Sequence, residues 1–289
     1  MAADRWAINT ARRTLRIVRQ VRGFTVVAAD ARNGTWYSHL ARIATGRRPH
    51  LAAYWSPYVN FGDALAPDIL EFVTGLRPRF VSAQTRGKVL SVGSILRRAQ
   101  PGDTVWGTGA MFPGRADLTR ATVLAVRGPR TRSQIVGDCP EVYGDPAIIL
   151  PLIYQPRPLK RVDIGLIPHV VDQDVMRSID PRVNVIDLAT TKWRSVVDEI
   201  CRCEVVLSSS LHGLIVAEAY GIPAVWVKAS DRVLGDGFKF HDYYESTGRE
   251  IEGSRPWSAG VAQLVAAALE PPPLDATKLL SAWFGDEDH

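Results

Sequence analysis

From residue 51 onward the chain repeats one pattern: a short apolar run, a turn holding glycine, aspartate or serine, then apolar positions three or four residues apart. Continuous apolar runs of this length suit strands buried on both faces of a parallel sheet, and the 3.6-residue spacing between them suits covering helices. The pattern predicts strands over 51–55, 88–92, 103–106, 122–126, 162–167, 183–187, 204–208 and 224–227, with helices after Asp63, Gly128, Thr190, His212 and Pro256. Such alternation is the mark of an α/β protein. Ahead of it, Ile8, Ala11, Leu15 and Val18 stand three or four apart with arginines largely on the other positions, which predicts a basic amphipathic helix.

Both periodicities break between 145 and 160, where Pro146, Pro151, Pro156 and Pro158 fall. Proline disrupts helix interiors and central strands alike, so this stretch reads as an inter-domain linker. The expected organisation is a basic segment over 1–48, an N-terminal Rossmann-like domain over 49–155 and a C-terminal Rossmann-like domain over 156–289. The prolines at 271–273 set off a last helix, about 274–284, expected to pack back across one half or the other.

Composition narrows the class. At 289 residues, 46% hydrophobic and 22% charged, the chain can bury a large core, and no apolar run reaches the roughly 18 residues of a membrane span. Three cysteines make no disulfide framework, and Cys201 and Cys203 are too close in sequence for an easy bridge or a good zinc pair. A reducing, cytoplasmic setting is the expectation. The net charge of +5 is uneven: residues 1–50 carry ten arginines against Asp4 and Asp30, so the remainder is slightly acidic. No basic stripe interleaved with aromatics runs through the body, which argues against a dedicated nucleic-acid binder. The basic segment leaves two readings open: peripheral contact with an anionic membrane surface through residues 4–22, or packing on the protein body.

In open α/β sheets ligands gather beyond the carboxyl ends of strands, so the loops after apolar runs are the first places to look for chemistry. Six stand out: Asn60-Phe61-Gly62-Asp63, Ser91-Val92-Gly93-Ser94, Trp106-Gly107-Thr108-Gly109, Arg127-Gly128-Pro129-Arg130-Thr131, Gly144-Asp145-Pro146-Ala147 and Ser208-Ser209-Ser210-Leu211-His212-Gly213. His212 is placed at a helix start. Arg127, at a strand end, suits bidentate recognition of a carboxylate or phosphate, with a structural ion pair as the alternative. Asp63 and Asp145 each fit either a cap or a hydrogen bond to a sugar hydroxyl, and capping suits Asp145 better because proline follows it. Lys239 lies in Gly237-Phe238-Lys239-Phe240-His241-Asp242-Tyr243-Tyr244, either a clasp on a polar ligand or a solvated edge loop. The chain has no Gly-x-x-x-x-Gly-Lys-Ser/Thr, His-Glu-x-x-His, Gly-x-Ser-x-Gly or full Gly-x-Gly-x-x-Gly motif. The nearest thing to a metal-holding acidic pair is Asp172-Gln173-Asp174.

Taken in order, those loops, with Gly221-Ile222-Pro223 and Lys239-Phe240 followed by Asp242-Tyr243-Tyr244, resemble the polysaccharide pyruvyl transferases over about residues 50–250. The resemblance implies two Rossmann-like domains facing across a cleft, a GT-B-like arrangement. It also implies transfer of a pyruvyl group from phosphoenolpyruvate to a hydroxyl pair of a glycan or lipid-linked oligosaccharide, with no metal or organic cofactor. On that reading His212, Arg127 and Asp63 are the catalytic candidates, and Asn60, Gly62, Ser94, Thr108, Asp145, Ser209, Ser210 and Lys239 the substrate-binding ones. Many members carry an arginine two residues before the histidine. Here that position is Ser210, which leaves one anion contact to Lys239 or Arg127. Two rivals remain open on sequence: a nucleotide-sugar glycosyltransferase of the same fold, and a non-catalytic glycan-binding protein.

Overall fold

The computed structural model describes residues 51–156, 161–178 and 180–284; the basic segment expected at 4–22 lies outside them. The first lobe holds β1 (Ala52–Tyr54), β2 (Arg79–Phe80), β3 (Val89–Leu90), β4 (Thr104–Trp106) and β6 (Thr122–Ala125) in one parallel sheet of order β2-β1-β3-β4-β6. A separate small ladder joins β5 (Ala116–Asp117) to β7 (Ile135–Val136). The second lobe holds β8 (Val162–Ile167), β9 (Val183–Val185), β10 (Cys203–Ser208), β11 (Ala224–Lys228) and β12 (Arg255–Pro256), also parallel, in the order β12-β11-β10-β8-β9. All eight sequence-predicted strands are present, most trimmed by a residue or two at their ends.

The helices are α1 (Phe61–Ala64), α2 (Ala66–Thr74), α3 (Pro129–Arg132), α4 (Leu150–Ile153), α5 (Trp193–Cys201), α6 (Leu211–Ala219), α7 (Phe238–Ser246), α8 (Val261–Ala266) and α9 (Thr277–Phe284). Each sheet is wound both ways from its first strand, so each has a switch point where neighbouring strands send their connections in opposite directions. These lie between β1 and β3 in the first lobe and between β8 and β10 in the second. A crevice at such a point receives loops from two strand ends at once, the general place for a ligand in an open parallel sheet.

Two expectations are corrected. The proline-rich stretch that reads as a linker is, through residue 153, buried structure: Pro146–Ile149 form a 3₁₀ turn and Leu150–Ile153 a helical turn. Pro146 and Pro151 fall at the first helical positions, where a missing N–H costs nothing, so they start these turns instead of breaking them. The Gly237–Tyr244 stretch is neither loop nor edge. It is α7, with Lys239, Phe240, Asp242, Tyr243 and Tyr244 buried. Its charged residues face inward, which hides the apolar periodicity.

One hydrophobic core crosses both lobes. Phe61, Leu65 and Ile69 of the first lobe share it with Ile148, Ile149, Leu211, Leu214, Ile215 and Phe240. Helix α6 is buried on nearly every side, as an apolar-all-round helix must be. The last helix packs on the first lobe: Trp106 Nε1 donates to the Leu279 carbonyl at 2.7 Å and its ring meets Trp283 edge-on. Cys139, Cys201 and Cys203 are free, and burial pushes their thiols up to about 11, 12 and 12, so they remain protonated packing groups. No helix among the described residues is long and apolar enough to cross a membrane.

Candidate functional site

The two switch points meet at His212. Asn60 caps α1, its Oδ1 accepting from Gly62 N at 3.0 Å, and this tight start sets Gly62 and Asp63 at the lobe boundary. The close approach requires glycine: a Cβ at Gly62 would overlap the His212 ring. From the loop after β3, a Cβ at Gly93 would lie 3.5 Å from Asp63 Oδ1 and 3.9 Å from His212 Cε1, at a φ of +97° that side chains avoid. Loops from the two strands flanking the first-lobe switch point thus bracket one imidazole of the second lobe.

On the second-lobe side, α6 begins at Leu211, so His212 sits in its first turn. Ser210 occupies the cap position without a side-chain cap bond. Ser208 does the capping instead, its Oγ accepting from Ser210 N at 3.0 Å and donating to the Ile167 carbonyl. Ser209 Oγ accepts from His169 N at 2.8 Å, tying the loop after β8 to the loop after β10. Sequence reasoning left His169 out of the site, although it follows an apolar strand end like every other candidate.

Asp145 combines the two roles the sequence left open. Its Oδ1 caps the 3₁₀ turn by accepting from Ala147 N at 3.0 Å, while Oδ2 lies 3.7 Å from His212 Nε2. Both of these facing atoms are buried and without a hydrogen-bond partner, an arrangement that native interiors rarely leave unexplained. Asp63 is only 9% exposed. Burial pushes its carboxyl up to about 6, with Asp145 adding to the effect and His212 and Ser56 opposing it. The site therefore holds a carboxyl that titrates near neutrality beside an imidazole, which is the composition of a proton-transfer centre.

Lys239 completes the cluster from α7. It is 6% exposed, and its ammonium has no ion-pair or hydrogen-bond partner among the described residues, lying 5.4 Å from the Phe240 ring. Burial, followed by the nearby Arg127 charge, pushes it down to about 8, while Asp63 and Asp172 pull it back up. His169 is pushed down to about 4 by burial and then by Lys239, so it is neutral at pH 7. A buried cation without an anion is an open invitation to an anionic ligand.

Arg127 requires a correction. It is fully buried, with Nε donating to Asp242 Oδ2 at 2.9 Å, Nη1 to Ser94 Oγ at 2.6 Å and Nη2 to the Ala110 carbonyl at 2.6 Å. Asp242 also accepts from Thr131 N and Oγ1. The guanidinium thus ties α7 of the second lobe to the first and braces the Gly93-Ser94 loop; of the structural and anion-binding alternatives, the geometry fits the first. Thr108 is likewise a brace: fully buried, its hydroxyl donates to the Gly93 carbonyl at 2.7 Å and accepts from Ile95 N. The Asp172–Asp174 triplet splits in two, Asp172 bonding Ser230 and Asp174 pairing with Arg232.

Residues 114–231, which include Arg127, Asp145, His169 and His212, match the polysaccharide pyruvyl transferase family model. An uncharacterized protein, L143, of Acanthamoeba polyphaga mimivirus is 28% identical over 223 residues, covering 72% of this chain and 78% of its own. The succinoglycan biosynthesis protein ExoV of Rhizobium meliloti is 29% identical over 216 residues, covering 68% of this chain and 64% of its own. The solved structure of an uncharacterized Klebsiella pneumoniae protein covers 74% of this chain and 94% of its own at 14% identity and a TM-score of 0.40, a likeness too loose to carry an inference.

Proposed function

From the match of residues 114–231 to the polysaccharide pyruvyl transferase family model, we propose that this chain is a member of that family and moves the pyruvyl group of phosphoenolpyruvate onto two hydroxyls of one glycan sugar. The observation that carries this reading is the pairing of unsatisfied groups at the meeting of two switch points: an unpartnered buried cation, Lys239, beside the buried His212 and Asp145 atoms that face each other without a hydrogen bond. A dianionic donor supplies what the cation lacks, and a reaction begun by protonation uses what the imidazole offers.

Protonation of the donor's methylene carbon forms the methyl group and leaves the neighbouring carbon cationic. One sugar hydroxyl adds there and gives up its proton, phosphate leaves with the C–O bonding pair, and the second hydroxyl closes the ketal while its proton goes to the departing phosphate. His212 is the proton carrier, with Asp145 Oδ2 facing its Nε2 across 3.7 Å. Asp63, titrating near 6, receives a hydroxyl proton. Lys239 holds donor oxygens, in place of the arginine that Ser210 replaces. Arg127, Thr108, Ser94 and Ser209 set the loops, and Gly62 leaves room for the imidazole.

The test uses phosphoenolpyruvate with succinoglycan oligosaccharides treated with mild acid to remove any ketal, a choice guided by the relative ExoV. Phosphate release that requires the sugar, with acid-labile pyruvate appearing on it, is the expected result. Thermal stabilisation by nucleotide sugars and not by phosphoenolpyruvate would point instead to a glycosyltransferase.

A further inference from the structure

Asp63, Lys239 and Asp145 are all nearly or wholly buried, so on the transferase reading the reacting centre takes the hydroxyl-bearing edge of the acceptor sugar. The rest of any glycan must lie against a neighbouring surface. We infer that it lies in a hollow of about 920 Å³ on the second lobe, as a subsite for further sugar units of the acceptor. This inference rests on the transferase reading.

Three observations select this hollow. First, it adjoins the site along the chain. The loop after β8 turns from His169, which feels the charges of Lys239 and His212, directly into Val170 and Val171 of the hollow. Asp172, which acts on Lys239, is bonded by Ser230, while its neighbour Asp174 and the nearby Arg232 line the hollow. Second, the lining has two chemistries. Val170 and Val185 are unusually exposed for their type and offer apolar area to the C–H face of a pyranose ring. Beside them Gln173 and the outer edges of the two-pronged Asp174–Arg232 pair, at 2.6 and 3.1 Å, leave further donors and acceptors suited to ring hydroxyls. Third, the volume is in the upper part of the roughly 300–1,000 Å³ range of small-molecule sites, large enough for more than one ring.

A second groove, of about 410 Å³ between Trp55, Asp68 and Arg194, is a competitor. It is smaller, and the Phe61 N to Leu188 carbonyl bond at 2.9 Å crosses between the lobes beside it.

The experiment measures steady-state kinetics with short and long fractions of the ketal-free succinoglycan oligosaccharides. Wild type is expected to show a lower KM for the long fraction. Arg232→Ala and Val185→Trp should each erase that gain, raising the KM for the long fraction by about tenfold with kcat and the phosphoenolpyruvate KM unchanged, the pattern of lost uniform binding. Arg194→Ala should leave the gain intact. Wild-type KM values in both hollow variants, or loss of the gain in Arg194→Ala alone, would overturn the subsite. Should wild type turn over neither fraction, the transferase reading fails by itself, and the hollow is judged by calorimetric binding of the long fraction without phosphoenolpyruvate. Binding abolished by Val185→Trp supports it; no binding to wild type, or binding untouched by that change, overturns it.

Discussion

Two buried charged clusters lie side by side where the lobes meet, and they differ in one respect. Around Arg127 every charge has its partners: Asp242 receives the guanidinium and both donors of Thr131, while Ser94 and Ala110 take the remaining arms. Around His212 the groups are nearly as buried but left incomplete, with Asp145 Oδ2 and His212 Nε2 unpartnered and Lys239 unpaired among the described residues. A satisfied buried network defines a structure; an unsatisfied one, held open against its own desolvation cost, needs a ligand to complete it. Burial and charge alone do not separate framework from site. Completeness of pairing does.

The sharpest test of this contrast is His212→Ala, which should lower turnover by about 10²- to 10⁴-fold, the usual worth of a positioned acid–base group, with the denaturation midpoint nearly unmoved. A stability loss matching the Arg127 variant would make His212 framework and end the distinction. Arg127→Met should do the reverse: leaving Asp242 as an uncompensated buried charge costs about 3–5 kcal/mol, read by urea denaturation.

Next in size is the pH effect of Asp63. Its folded-state value near 6 stands above the ordinary carboxylate value of 3.8, so the protonated form favours folding and that contribution is lost as pH rises from about 4 through 6. Above that window Asp63→Asn should be more stable than wild type by up to about 3 kcal/mol, since each pH unit separating the folded and unfolded values is worth roughly 1.4 kcal/mol. The difference should vanish near pH 3. A gap that stays constant across the range would place the carboxyl in water.

Lys239→Met gives a stability change of similar size and the most direct reading of the open cluster. The folded-state value near 8 means the charged form is disfavoured by burial, a cost that sets in as pH falls from about 10 to 8. At pH 7 the variant should therefore exceed wild type by up to about 3 kcal/mol, while stabilisation by phosphoenolpyruvate in a thermal shift assay disappears. A clear loss of stability would mean that Lys239 has an internal partner after all.

Much of this was legible in the chain. Alternating short apolar runs and helical spacing required a parallel α/β fold, because a strand covered on both faces must be apolar throughout. The same rule flagged the loops of Asp63, Gly93, Asp145 and His212, since ligands collect where parallel strands end. Tertiary structure alone decided what each charge does there. Nothing in the local sequence separates Arg127 from Lys239: both are cations near candidate loops, and the residue that engages the first, Asp242, lies 115 positions away. Helix α7 escaped notice for the same reason, since its inward charges find or await partners on the other lobe. Local pattern fixes which backbone forms because hydrogen bonding and burial repeat with a short period; charge pairing follows distance in space, which only the folded chain sets.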